Sequence, residues 1–243
     1  MSCSFTIEHY REIIEIAQKA GYAFRGFHET TPASERLSIY LRHDIDVCLE
    51  EAIDMARVEA EIGVRATYFI LINSPVYNPL SDDSLKLLKK ILDNRHWIGL
   101  HVDPVMLPQD NSEMIEEFIA GLIAIYSSEI KMVPVVSYHR PNQSMLGINF
   151  HNFISTYSEQ FFKKMKYVSD SRGIWREGCP CKVLENNIYP QLQMLVHPIW
   201  WRSDDKQIIT DKTEYLLKKR RENIETYLTE NIKPMRKLLN LKK

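Results

Sequence analysis

The residues able to do chemistry gather in short runs: Arg42-His43-Asp44-Ile45-Asp46, His101-Val102-Asp103, His139-Arg140, Asp170 and His197-Pro198. Each run ends an apolar stretch rich in β-branched or aromatic residues, at 37–41, 97–100, 133–138, 167–169 and 192–196, which is the character of a buried strand. In a strand, residues two apart face the same way, so Asp44 and Asp46 share a side while His43 points elsewhere. Two carboxylates at the carboxyl end of a strand suit a general base beside a metal ligand. The structural alternative is that Asp46 caps the helix that follows and Asp44 bonds to Arg42 or His43.

The elements needed to position these groups are legible as alternating strands and helices. Leu49, Ala52, Ile53, Ala56 and Ala60 recur at helical spacing and Gly63 closes that helix. Residues 65–72 read as the clearest strand, and Ser81 caps a helix carrying Leu85, Leu88, Ile91 and Leu92. Residues 7–19 form a helix ending at Gly21. Asp110 and Glu113 have capping-box spacing before a periodic run from Ile115 to Tyr126. Residues 150–164 are expected to be helical, as is a C-terminal extension at 211–243, with Leu216, Leu217, Ile224, Tyr227 and Leu228 on one face. Alternating strands and helices predict a parallel sheet in one α/β domain over 1–243. The ionisable groups fall at strand carboxyl ends, where (β/α) barrels carry their active sites. The first of these runs lacks glycine, which disfavours a nucleotide-binding loop.

Composition narrows the classes. A net charge of −1 lacks the basic surplus of a nucleic-acid-binding protein. No apolar run approaches the roughly 20 residues of a membrane span, and the start of the chain lacks a signal-peptide pattern, so a cytoplasmic protein is expected. Four cysteines do not describe a disulfide framework. Cys179-Pro180-Cys181 is too closely spaced for a zinc knuckle without a second pair, and Cys3 and Cys48 do not supply one. Lys218 to Arg221 reads as a solvated face. His9, His28, His96 and His151 have no supporting context.

In order along the chain, the strand-end runs resemble the motif series of the polysaccharide deacetylases, carbohydrate esterase family four. Arg42-His43-Asp44-Ile45-Asp46 resembles the first motif, Trp97 to His101 the approach to the second, Tyr138-His139-Arg140-Pro141 the third, Asp170 with Trp175 the fourth, and Leu195-Val196-His197-Pro198 the fifth. The resemblance implies an irregular (β/α) barrel and a hydrolase that removes an acetyl or similar acyl group from an amino sugar. It implies Asp44 as base, Arg140 holding that carboxylate and His197 as acid, with Asp170, Trp175 and Leu195 at the substrate. It also implies a divalent metal, Zn²⁺ first and Mn²⁺, Mg²⁺, Co or Fe as alternatives, on Asp46 and His101. Val105 stands where the second histidine of the second motif is expected. Asp103, two residues from His101, is the first candidate for the missing ligand, with His139 next. The expected substrate is an N-acylated sugar, as an intracellular intermediate of surface-polysaccharide synthesis. The competing readings are a metal-free amidohydrolase on a small cyclic amide and an inactive carbohydrate-binding barrel.

Overall fold

The computed structural model describes residues 3–30, 32, 36–108, 111–203 and 209–240. In chain order the elements of the first compact unit, Met1–Ser203, are α1 (Ile7–Lys19), β1 (Ala23–Phe24), β2 (Ser38–Ile45), α2 (Leu49–Ile62), β3 (Thr67–Leu71), α3 (Asp82–Asp93), β4 (Trp97–Val102), α4 (Ser112–Ser127), β5 (Met132–Tyr138), β6 (Ile154–Ser155), β7 (Lys166–Ser169), α5 (Cys181–Glu185) and β8 (Gln191–Val196). The second unit, Asp204–Lys243, carries α6 (Ile209–Asn231) and α7 (Lys233–Asn240). Within α6, Leu216 is buried but Leu217, Ile224 and Tyr227 are exposed, so the expected apolar stripe is only partly covered. No helix among the described residues is long and apolar enough to cross a membrane.

Every strand pairing is parallel, in the order β6-β5-β4-β3-β2-β8-β7, with β1 added alongside β2. Among the described residues no pairing joins β6 to β7, so the sheet is a half-barrel. Two side chains bridge its interior where backbone pairing stops. Gln193 on β8 donates through Nε2 to the carbonyls of Thr156 and Phe161, 3.0 Å each. Arg42 on β2 donates through Nη1 to Thr156 Oγ1 at 2.7 Å and to Gln193 Oε1 at 3.0 Å.

Strand parity sorts the residues. On the outer face Ile39, Leu41 and Ile45 of β2 meet Ile13 and Ile14 of α1 and Met55 and Ala56 of α2. On the same outer face, further along the sheet at β4 and β5, Leu100, Val102, Val136 and Tyr138 pack with Ile119 of α4. Inside, Phe27, Tyr40, Phe69, Val135, Phe161 and Met165 fill one end of the half-barrel. Gly99 permits that filling. A Cβ there would sit 2.5 Å from the Phe69 ring and 2.9 Å from the Val135 carbonyl oxygen.

The sequence expectations hold for the main elements and fail where hydrogen bonding is local. Gly63 ends α2 in the left-handed conformation, and Ser81 Oγ accepts from Ser84 N. Asn111, not Asp110, caps α4, accepting from Glu113 and Met114 N; Asp110 itself lies outside the described residues. The helix expected over 150–164 is replaced by β6 and a π-helical turn at Glu159–Lys163. Those residues supply the carbonyls that Gln193 needs. The strand expected at 37–41 runs on to Ile45, which carries the ionisable residues into the sheet.

His43 points outward into a fully buried polar cluster. Its Nε2 lies 2.6 Å from Glu59 Oε1 on α2, Tyr68 donates to Glu59 Oε2 at 2.7 Å, and Tyr10 donates to Oε1. His96 accepts from Ala66 N through Nδ1 and donates to the Ala56 carbonyl through Nε2. The cluster ties α1, α2, β2 and β3 together. Burial alone would raise the Glu59 carboxyl, but His43, His96 and Tyr10 hold it below the ordinary 4.5. Removing one partner of a buried, hydrogen-bonded charge leaves the other uncompensated. Glu59→Ala is therefore expected to cost about 3–5 kcal/mol in denaturant unfolding, far more than a surface glutamate. Because the folded value is depressed, the contribution is complete above pH 4.5 and lost as pH falls through the lower folded value. The Glu59→Ala protein should lack that part of the acid dependence.

Candidate active site and metal centre

The inward residues at the carboxyl ends of β2, β4, β5 and β8 converge. Arg42 and Asp44 lie two apart on β2, so both point inside. Arg42 Nη2 donates to Asp44 Oδ2 at 2.7 Å, with the two side chains 0% and 3% exposed. Ser137 of β5 donates to the same carboxylate at 3.3–3.4 Å, and His101 Nε2 of β4 stands 3.7 Å from Oδ2. Burial works to raise the Asp44 carboxyl, but Arg42 outweighs it and keeps the group below its usual range. Asp44 is thus a charged carboxylate in a dry wall.

Asp46 follows the end of β2 and lies close to two imidazoles. Its Oδ1 is 3.1 Å from His101 Nε2 and 3.2 Å from His139 Nδ1. Yet Asp46 Oδ1 and His101 Nε2 are both buried without a hydrogen bond. His101 Nδ1 faces the Ser137 carbonyl at 3.2 Å. A carbonyl only accepts, so Nδ1 carries the proton and Nε2 presents its lone pair. One ligand atom from each of Asp46, His101 and His139 lies within 4.8 Å of the others. The His101 lone pair, the Asp46 carboxylate and the His139 imidazole converging in this way fit a divalent cation, and the Ser137 contact supplies the outer-shell orientation such ligands require. Two imidazoles and a carboxylate suit Zn²⁺ as well as Fe, Co or Mn.

Asp103 does not join this group. Its Oδ1 accepts from Val105 N at 3.0 Å, capping the turn at Pro104–Met106, so of the two candidates for the missing ligand it is His139, not Asp103, that stands beside Asp46 and His101. Val105 is 81% exposed on that turn, so a histidine's place in the motif series is here a solvent position.

His197, after β8, completes the ring. Its Nδ1 donates to Asp170 Oδ1 at 2.6 Å and its Nε2 lies 4.0 Å from Asp46 Oδ2. Asp170 is fully buried and also accepts from His197 N, at 3.0 Å to both oxygens, and from Trp201 Nε1 at 3.0 Å. Its carboxylate, expected at the substrate, is occupied by these partners and lies behind the imidazole. Burial opposes a charge on His197, but Asp170, with Asp44 and Asp46 beyond it, pushes the imidazole up to about 9.

These groups open on a cleft of about 1010 Å³ that is also lined by Tyr138, Arg140, Arg172, Trp175, Arg176 and Leu195. That is at the top of the roughly 300–1,000 Å³ of small-molecule sites. Leu195 and Trp175 supply apolar wall and are themselves buried. Arg140 does not hold Asp44. It leaves β5 in the left-handed conformation (φ 54°) and is exposed at the rim. Arg42 occupies the place beside the carboxylate because it comes from the same strand and face. Arg42 and Ser137 were readable from parity, since each precedes a site residue by two positions. Glu59 carried no signal, because a glutamate in a helix reads as a surface residue.

No protein-family model matches the chain, nor does any curated protein. Solved structures do. A family 4 carbohydrate esterase from Bacillus anthracis is 17% identical, with 86% of this chain and 85% of that one covered and a TM-score of 0.40. A CE4 family pseudoenzyme from Bacillus anthracis is 15% identical over 84% of this chain and 65% of that one, at 0.42. A mutant of that pseudoenzyme with restored enzymatic activity is 16% identical over 84% and 67%, at 0.43. The chain thus spans about two thirds of the pseudoenzyme's length.

Two outcomes follow for the ligands and the imidazole. For a metal held here, His139→Ala is expected to lower the metal content by one equivalent relative to the native protein in elemental analysis, whereas Asp103→Ala is expected to leave it unchanged; an unchanged content in both variants would remove His139 from the set. Asp170→Asn, which keeps the shape but loses the charge, should lower kcat by about 10²-fold or more with little change in KM.

Proposed function

We propose that this protein is a metal-dependent hydrolase that removes an acetyl or similar acyl group from an amino sugar bearing an anionic substituent. The observation that carries the reading is a matched pair beside one triad: a carboxylate kept charged by Arg42 and an imidazole kept protonated by Asp170. Such opposite tuning is what an amide hydrolysis needs, a base for the attacking water and an acid for the leaving nitrogen. Asp46, His101 and His139 would hold the cation, which supplies Lewis acidity toward the amide carbonyl when bound.

The chain's own groups divide the remaining work. Arg42 fixes Asp44 Oδ2, leaving Oδ1, whose one bond is the long contact from Ser137, to take the proton of an attacking water. His197 Nε2 gives its proton to the amine, which leaves poorly as an anion, while Asp170 stabilises the charge that Nδ1–H shares. Leu195 and Trp175 offer an apolar pocket for an acyl methyl. Arg140, Arg172 and Arg176 are exposed around the cleft and form no ion pair among the described residues. Three guanidinium groups exposed at one rim favour phosphate or carboxylate on the sugar.

Acetate release from a sugar phosphate or nucleoside-diphosphate N-acetylhexosamine is the test, with the neutral sugar as control. Turnover is expected to disappear with a chelator, return with added metal, and fall about 10²-fold or more in Asp44→Asn. Arg172→Glu with Arg176→Glu should raise KM for the charged substrate about tenfold, equivalent to about 1.4 kcal/mol, and leave kcat unchanged. Activity that survives chelation would favour the metal-free amidohydrolase. Sugar binding without turnover, equal in the native protein and Asp44→Asn, would favour the binding barrel.

A further inference from the structure

A second cluster of metal-ligating side chains lies outside the cleft. Cys3 precedes α1, His9 lies in the first turns of α1, and Cys179 and Cys181 flank Pro180 at the start of α5. His9 Nε2 is 3.3 Å from Cys179 Sγ, and Cys179 Sγ is 3.2 Å from Cys181 Sγ. The ligand atoms of Cys3, His9 and Cys179 all lie within 4.8 Å of one another. All three cysteines are free thiols, none fully buried. The pair that Cys179-Pro180-Cys181 lacks in sequence therefore arrives from about the other end of the unit, His9 standing 170 residues before Cys179.

We propose that Cys3, His9, Cys179 and Cys181 form a structural site for a soft tetrahedral cation, zinc in the first instance. A tetrahedral zinc with Zn–S bonds of about 2.3 Å holds its sulfurs roughly 3.8 Å apart, so Cys179 at 3.2–3.3 Å from His9 and Cys181 needs only a small outward shift, while Cys181, which lies beside Cys179 but outside the group of three, has to turn toward Cys3 and His9 to complete the set. The surroundings have the outer-shell features of such sites. His9 Nδ1 lies 2.8 Å from Glu12 Oε2, which fixes the ring with Nε2 toward Cys179. The indole N–H of Trp175, in the loop just before Cys179, is buried without a hydrogen-bond partner.

The site has a structural consequence. It closes a loop of about 170 residues, joining the N-terminal segment to the loop whose Trp175, Arg176, Glu177 and Gly178 line the cleft. Binding the folded but not the unfolded chain, the cation stabilises the fold by mass action and holds that wall in place.

The experiment separates this site from the catalytic one by using the Asp46→Ala/His101→Ala protein, which retains every cysteine. Purified under reducing conditions, it is expected to keep stoichiometric zinc by elemental analysis. X-ray absorption at the zinc edge should show sulfur neighbours at about 2.3 Å. Cobalt exchanged into the same protein should give a sulfur-to-cobalt charge-transfer band. Adding Cys3→Ser and Cys179→Ser should reduce the zinc to background. Absence of metal with four thiols open to titration would overturn the proposal, as would zinc with only nitrogen and oxygen neighbours or a Cys179 disulfide under those conditions. Should the cysteine variant not fold, the absorption and cobalt spectra of the intact cluster decide.

Discussion

A guanidinium sealed inside the half-barrel sets the terms for everything near it. Arg42 cannot shed its charge, and an ion in a dry interior is tolerated only when paired and hydrogen-bonded. Its partners come from β2 itself (Asp44), from β8 (Gln193) and from the segment after β6 (Thr156 and Tyr157). Satisfying one side chain therefore fixes how the two ends of an unclosed sheet face each other. It also commits Asp44 to the ionised form. The same contact is part of the barrel's interior and part of the wall of the candidate site.

β2 is charged on both faces, which is unusual for a strand covered on both sides. Inside, Arg42 and Asp44 neutralise one another. Outside, His43 meets Glu59, which Tyr10 and Tyr68 also satisfy. A buried ion pair is seldom a net gain in stability over an apolar core; what it gives is a single allowed arrangement. With Arg42 tied to β8 and the β6 end, and His43 tied to α2, the strand cannot slip by a residue without separating both buried pairs. The Asp44–Asp46 end is thus held rigidly beneath His101 and His139, as a site that aligns ligand atoms within a few ångströms requires.

The two ends of the site are tuned in opposite directions by the same means. Burial disfavours charge on Asp44 and on His197 alike, and in each case a neighbour of opposite sign wins: Arg42 for one, Asp170 for the other. Asp170 is in turn held by Trp201 and by the backbone of His197. Each working group thus has a buried counter-charge that does not itself face the cleft.

What the sequence determined by itself was local. Period-two alternation put Asp44 and Asp46 on one side of a strand and His43 on the other, helical spacing found α2 and α3 with their caps, and ionisable residues at strand ends located the rim. These follow from a few consecutive residues, whose geometry the backbone alone dictates. The tertiary structure decided what depends on residues distant in the chain. His101 lies opposite Ser137 in the β4–β5 register, which brings His139 to Asp46, while Asp103 turns away to cap its own backbone. Arg42 rather than Arg140 reached Asp44, because Arg140 leaves its strand in a left-handed turn. Cys3 and His9 met Cys179 and Cys181 only once α1 had docked beside α5. Contacts of this kind are set by strand register and helix docking, which no local pattern encodes.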